Sequence, residues 1–160
     1  MKNIHIHLEL QRYQAGITPD WKRAEGPDGC LNYCFRYVDK QGKPNEKMLL
    51  TPDDFHPNGV YQPCSITLHL KPLNGLTAKF RWLNARSFVD KYTPTKGQRM
   101  SMLQWQEQQV TFAVDQKLAA DYHVNNENTI ELDVWIGGLG EKLGEEELMI
   151  NCDPKIEIQQ

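Results

Sequence analysis

Three histidines are the residues of this sequence whose types and spacing best suit metal chemistry. His5 and His7 lie two residues apart, so on a β-strand they project from one face with Cα atoms about 6.6 Å apart. Two imidazoles at this separation can bind one metal ion. His69 lies on the polar side of a second alternating segment, and Glu9 continues the polar side of the first. If the two strands are in-register neighbours, these side chains form the ligand set of a zinc or non-haem iron centre.

The same histidines also have a simpler structural interpretation. They alternate with apolar residues and share their polar face with Asn3, Thr67 and Lys71, as in the solvated face of a sheet. The sequence alone does not place the two strands side by side. We therefore expect no cofactor as the first hypothesis, and keep a divalent metal held by His5, His7 and His69 as the alternative.

Nucleophilic and phosphate-binding signatures are missing from the sequence. There is no G-x-S-x-G elbow and no P-loop, and the glycine-rich stretch 137–140 lacks the Lys-Ser/Thr that contacts phosphate. Cys30 and Cys34 are four residues apart, which on a strand is about 13 Å and too far for one metal ion or a disulfide. We expect buried free thiols and a protein that is not an enzyme.

Trp135 is the strongest candidate for contacting a partner. Its position in the alternation matches Glu131 and Asp133 rather than the buried Ile and Val positions, which places it on the outer face beside a glycine-rich loop. An exposed indole there would serve as a ligand platform or an interface anchor. The alternative is that another loop covers it. Trp82 shares its phase with Phe80, which predicts a core position.

A second candidate region for binding is the polar, turn-rich stretch 52–59. It contains Asp53 and Asp54, whose carboxylates can hold a cation, and His56. Ordinary turn formation also explains these residue types. We include Asp53, Asp54 and His56 with Trp135 as the predicted binding residues.

Alternation of apolar and polar residues with a period of two predicts that the chain is mainly β. The pattern recurs in segments 3–10, 65–71, 77–82, 110–114, 129–136 and 148–158. Solvated outer faces and short links favour about eight to ten antiparallel strands in a β-sandwich or jelly-roll-like domain. The alternation changes phase within 100–105, which requires a bulge or a helical turn there.

Local sequence adds one hairpin and two short helices to this expectation. Asn74 and Gly75 separate two alternating segments and tolerate the positive φ of a type I′ turn, which predicts a hairpin. Residues 115–123 favour a short helix about as much as a strand, with Asp115 as its N-cap, and residues 87–92 favour a second short helix.

Length and charge bound the class of protein. A chain of 160 residues fits one domain spanning 1–160, and its net charge of −3 argues against nucleic-acid binding. Because it contains neither a signal-like N-terminus nor about 18 consecutive apolar residues, we expect a soluble cytoplasmic protein without membrane contacts.

The sequence therefore favours a non-enzymatic binding or assembly module that recognises a protein or a small ligand through its loops and one sheet face. A metal-dependent enzyme with a histidine-rich site on a sheet face is the first alternative. A structural subunit that forms a homo-oligomer by pairing exposed strand edges is the second.

Overall fold

The computed structural model describes residues 1–17, 19–26, 32–39, 41–45, 47–86, 100–115 and 129–158. These ranges are mainly β, as the alternation predicts, and include a short 3₁₀ helix at Pro52–Phe55. The strands are β1 (Asn3–Arg12), β2 (Lys22–Arg23), β3 (Tyr33–Val38), β4 (Pro44–Asn45), β5 (Lys47–Leu50), β6 (Cys64–Pro72), β7 (Lys79–Arg86), β8 (Met100–Gln106), β9 (Gln109–Val114), β10 (Thr129–Gly137), β11 (Lys142–Leu143), β12 (Glu146–Glu147), β13 (Ile150–Asn151) and β14 (Lys155–Ile158).

The larger sheet has seven strands in the order β2-β3-β1-β6-β9-β8, with β4 also paired to β3. Its pairs are antiparallel except at the centre, where β1 and β6 run parallel with His7 opposite His69. A parallel pair needs a long connection between its strands, and the chain passes through β2 to β5 before it returns as β6.

A second sheet of five strands is built around β10. This strand pairs antiparallel with β7, β13 and β14, and β14 pairs in parallel with β5. The short strands β11 and β12 form a separate two-stranded hairpin in the loop that follows β10. The predicted antiparallel, sandwich-like architecture is confirmed, with one parallel pair in each large sheet. The described residues contain fourteen strands rather than the predicted eight to ten, because five of them are only two residues long.

The two large sheets share one apolar core because their strands alternate in the register that the sequence predicts. Leu68 and Phe112 of the first sheet and Leu132 and Ile136 of the second belong to the same cluster of buried side chains. The buried Tyr37 hydroxyl on β3 donates a hydrogen bond to the Cys152 carbonyl, 2.5 Å away, which ties the first sheet to the segment that follows β13.

The turn at Asn74 and Gly75 has the predicted geometry but does not make the predicted hairpin. Both residues have positive φ, 56° and 76°. The strands on either side, however, pair with different partners: β6 with β1 and β9, and β7 with β10. The turn passes the chain from one sheet to the other, a distinction that turn chemistry alone does not encode.

The parity break in β8 is a β-bulge, one of the two outcomes that the sequence predicts. Met102 lies opposite Phe112 and Gln104 lies opposite Thr111, which leaves Leu103 as the extra residue. The two predicted helices, at 87–92 and 115–123, lie outside the described residues except for Asp115. Within the described ranges, none of the helical segments has the length and apolar character needed to cross a lipid bilayer.

Candidate functional site

The outer face of the five-stranded sheet carries a pair of adjacent indoles. Trp135 on β10 lies directly opposite Trp82 on β7, and the two residues belong to the same antiparallel ladder. Trp82 is 52% exposed and Trp135 is half-buried. Together with Met149 and Arg81 they line an open depression of about 420 Å³, which we call the tryptophan face.

A β-bulge in β7 brings Trp82 to this surface. Phe80 lies opposite Ile136 and Trp82 lies opposite Trp135, so Arg81 is an extra residue between them. A bulge reverses the alternation on one side of it. Phe80 therefore faces the core at 2% exposure while Trp82 faces solvent, and the predicted core position of Trp82 is wrong.

One ion pair borders the tryptophan face. The Arg81 guanidinium donates to both carboxylate oxygens of Glu147, from Nη2 to Oε1 at 2.8 Å and from Nε to Oε2 at 3.0 Å. The Gly138 backbone N–H also donates to this carboxylate at 2.5 Å. Hydrogen bonding to Arg81, followed by the bond from Gly138, lowers the pKa of Glu147. The pair is exposed and adds little stability, but it fixes the guanidinium at the rim.

The absence of a side chain at Gly137 leaves space for this ion pair. A Cβ at position 137 would lie 2.8 Å from Cγ of Arg81 and 2.9 Å from Cδ of Glu147. Both distances are shorter than van der Waals contact, so any larger residue at 137 would push the two side chains apart.

The three predicted metal ligands come together on the outer face of the seven-stranded sheet, on β1 and β6. His5 Nδ1 lies 2.8 Å from His69 Nε2, and their rings are stacked with centroids 5.1 Å apart. The His7 ring meets the His69 ring edge-on at a centroid distance of 5.2 Å. The parallel register, with His7 opposite His69, produces this arrangement, which we call the histidine cluster.

Charged neighbours surround the histidine cluster. The Glu9 carboxylate accepts a hydrogen bond from Arg36 Nε at 2.6 Å, so its negative charge is shared with this guanidinium. Lys71 lies opposite Glu9 on β6. Burial, followed by repulsion from nearby positive charges that include Lys71, lowers the pKa values of His7 and His69. These two imidazoles are therefore mainly neutral at pH 7 and keep lone pairs for a ligand.

The histidine cluster does not have the geometry of a formed metal centre. Across the described ranges, no three His, Cys, Asp or Glu side chains are grouped so that they hold a metal ion as they stand. The close contact is between His5 and His69, and the His7 ring meets the His69 ring edge-on.

The predicted binding residues in 52–59 have separate local contacts. Asp54 is buried and pairs with Lys2, and it also accepts the Thr51 backbone N–H at 2.8 Å. His56 Nδ1 lies 2.9 Å from the Pro52 carbonyl oxygen and its ring packs edge-on against Tyr61. Asp53 is exposed in the first turn of the 3₁₀ helix.

We expect Asp54→Asn to lower the free energy of unfolding by about 1 kcal/mol at pH 7, with a smaller loss at pH 3. Burial alone would raise the pKa of Asp54, but bonds from Lys2 and Thr51 together hold it below 3.8. A lowered pKa gives stability that is present above pH 4 and is lost as the carboxylate becomes protonated. Urea unfolding at both pH values measures the difference, and an equal loss at the two pH values would contradict it.

The sequence pattern singles out Trp135 and the three histidines as candidates, but it predicts a core position for Trp82 and does not single out Met149. The bulge at Arg81 is the reason for the first omission, since strict alternation places Trp82 inside. Met149 is 38% exposed beside the buried Ile150, in a short segment whose pairing partner is not apparent from its sequence. Among the described residues, Cys34, Cys64 and Cys152 are buried free thiols, as predicted, and Cys30 lies outside the described residues.

Comparison with known proteins adds no functional assignment. The sequence matches no protein-family model and shows no significant similarity to a curated protein. The candidate functions therefore rest on the tryptophan face and the histidine cluster.

Proposed function

We propose that this chain is a non-catalytic binding module that holds an apolar side chain of a protein partner against its tryptophan face. One observation carries the proposal: Trp82 and Trp135 lie side by side on an outer sheet face in an open depression. The lining residue types, Trp, Met and Arg, are those enriched at the centres of protein interfaces.

The lining of the depression favours a protein side chain over a small polar ligand. A small-molecule site needs several placed polar groups to orient its ligand. Here Arg81 is the polar residue of the lining, and its guanidinium is already bonded to Glu147. A volume of about 420 Å³ accommodates one or two large apolar side chains, which need no polar partners.

Because the two indoles lie on the surface, substituting them tests partner binding without disturbing the core. Trp82 is 52% exposed and does not belong to the cluster of buried core side chains, so truncating it leaves those side chains in place. A protein partner would complete the burial of both rings. Burial of large aromatic surface is the main source of affinity at such sites.

The proposal predicts that peptides selected on this chain bind through the tryptophan face. A phage-displayed library of random 12-residue peptides is selected on the wild-type chain, with counter-selection on Trp82→Ala/Trp135→Ala. We expect enriched peptides to share a large apolar residue. In fluorescence polarisation with a synthetic peptide, Trp82→Ala should weaken Kd about 30-fold, which corresponds to about 2 kcal/mol.

Trp105→Ala is the matched control, because Trp105 is 42% exposed on β8 and is absent from the lining of the tryptophan face. It should leave Kd unchanged, and far-ultraviolet circular dichroism should show all variants folded. Failure to enrich any peptide over the double variant would contradict the proposal. Sedimentation equilibrium showing a dimer that becomes monomeric in the double variant would assign the face to a second copy of the chain instead.

A further inference from the structure

We propose that the histidine cluster is a binding site for a first-row divalent transition metal ion, with His5 Nδ1 and His69 Nε2 as the first two ligands and His7 as the third. This inference is independent of the tryptophan face, which lies on the other large sheet. Neutral imidazole suits Zn²⁺, Ni²⁺ and Cu²⁺, and water completes the coordination of an exposed site.

The two closest nitrogen atoms are already near the separation that a shared metal ion requires. Ligand nitrogen atoms bind zinc at about 2.0–2.1 Å, so two of them lie about 2.9–3.4 Å apart at angles of roughly 90–110°. His5 Nδ1 and His69 Nε2 are 2.8 Å apart. A small outward rotation of the two rings opens enough space for the ion, without any movement of the strands.

Backbone register holds the third imidazole in reach. His7 lies directly opposite His69 in the parallel ladder, and the Cα atoms are fixed by the pairing of β1 with β6. The ring centroids are 5.2 Å apart in an edge-on arrangement. Rotation about the side-chain bonds of His7 brings a nitrogen atom toward the ion.

Hydrogen bonding around Asn3 sets the proton positions in the unbound cluster. The Asn3 side-chain oxygen accepts hydrogen bonds from Ser65 at 2.9 Å and Thr67 at 3.1 Å, which leaves its amide nitrogen 3.3 Å from His5 Nε2. His5 Nε2 is then an acceptor, so His5 Nδ1 carries the proton and donates a hydrogen bond to His69 Nε2. Metal binding must move this proton to His5 Nε2, where Asn3 opposes it.

Charges near the site favour and oppose binding. Lys71 repels a cation, and Glu9, which shares its charge with Arg36, attracts one. Gln109, opposite His69 on β9, is uncharged. Lys71 and Glu9 therefore act on a bound cation in opposite directions.

Isothermal titration of untagged protein with ZnCl₂ at pH 7.5 tests the site. We expect one Zn²⁺ per chain, with affinity at least tenfold weaker in His5→Ala and in His69→Ala. Asn3→Asp should bind at least tenfold more tightly, because its carboxylate keeps the hydroxyl bonds of Asn3 and accepts a hydrogen bond from the N–H at His5 Nε2.

His56→Ala is the control, because His56 contacts Pro52 and Tyr61 rather than the histidine cluster. The Zn²⁺ affinity of this variant should equal that of the wild type. Circular dichroism with and without Zn²⁺ confirms that each variant is folded. The absence of saturable binding, or equal affinity in wild type, His5→Ala and His69→Ala, would overturn the proposal. An Asn3→Asp variant no tighter than wild type would overturn the assignment of His5 Nδ1 as a ligand.

Discussion

Replacing Leu68 with alanine is expected to lower the free energy of unfolding by about 2–5 kcal/mol. Leu68 is on β6 between Thr67 and His69, with 0% of its surface exposed, and it lies opposite Ile6 and Val110 on the neighbouring strands. The substitution removes three buried carbon atoms and leaves a cavity among side chains that paired strands hold in place. The shift of the urea midpoint at constant slope measures the loss.

Leu103→Ala is the matched control for this substitution. Leu103 is the extra residue of the bulge in β8 and is 53% exposed. The same chemical change there should cost less than about 1 kcal/mol, since little apolar area is buried. Equal losses in the two variants would mean that the alternation does not divide the strands into a buried face and a solvated face.

That division could be predicted from the sequence because it depends only on local periodicity. Successive side chains of a strand point to opposite faces, so Leu68 and His69 fall on different sides whatever strands lie beside them. The same periodicity places Trp135 on the outer face. It also explains why His5 and His7 share a face before anything is known of their neighbours.

Pairing between distant strands could not be predicted in this way. The approach of His69 to His5 depends on a parallel register between segments more than sixty residues apart, and no short-range pattern specifies it. The turn at Asn74 and Gly75 shows the same limit, because its backbone is that of a hairpin while its strands enter different sheets. Local chemistry determines a turn, and packing of the whole core determines its partners.

Bulges are the other source of error, because one extra residue reverses a strand's alternation without an obvious change in composition. In β8 the sequence itself breaks parity, and the bulge was predictable. In β7 the extra residue is Arg81, whose polar type fits an outer position, so Phe80 and Trp82 look equivalent. That Trp82 lies beside Trp135 on the tryptophan face is clear only when the register between β7 and β10 is known.

The buried thiols have a consequence for stability at high pH. Burial raises the pKa of Cys64 from 9.0 to about 11, and burial also raises the pKa values of Cys34 and Cys152. The folded chain therefore keeps protons that the unfolded chain releases above pH 9. With fewer protons bound in the unfolded state, the free energy of unfolding falls as pH rises. The stabilising effect is fully present below pH 9 and is lost as the folded thiols ionise.

Between pH 8 and pH 10.5, ionisation of Cys64 alone should reduce the free energy of unfolding by about 2 kcal/mol. The reason is that the pKa of this thiol is about 11 in the folded chain and 9.0 in the unfolded chain. Urea unfolding of Cys64→Val under reducing conditions should show a correspondingly smaller drop than the wild type between these pH values. Ile66→Val is the control, because Ile66 is equally buried on the same strand but carries no titratable group. The free energy of unfolding of Ile66→Val should change with pH as that of the wild type does, even if the variant is less stable at pH 8. A wild-type drop that Cys64→Val leaves unchanged would mean that this thiol ionises as readily in the folded chain as in the unfolded one, so that water reaches the start of β6.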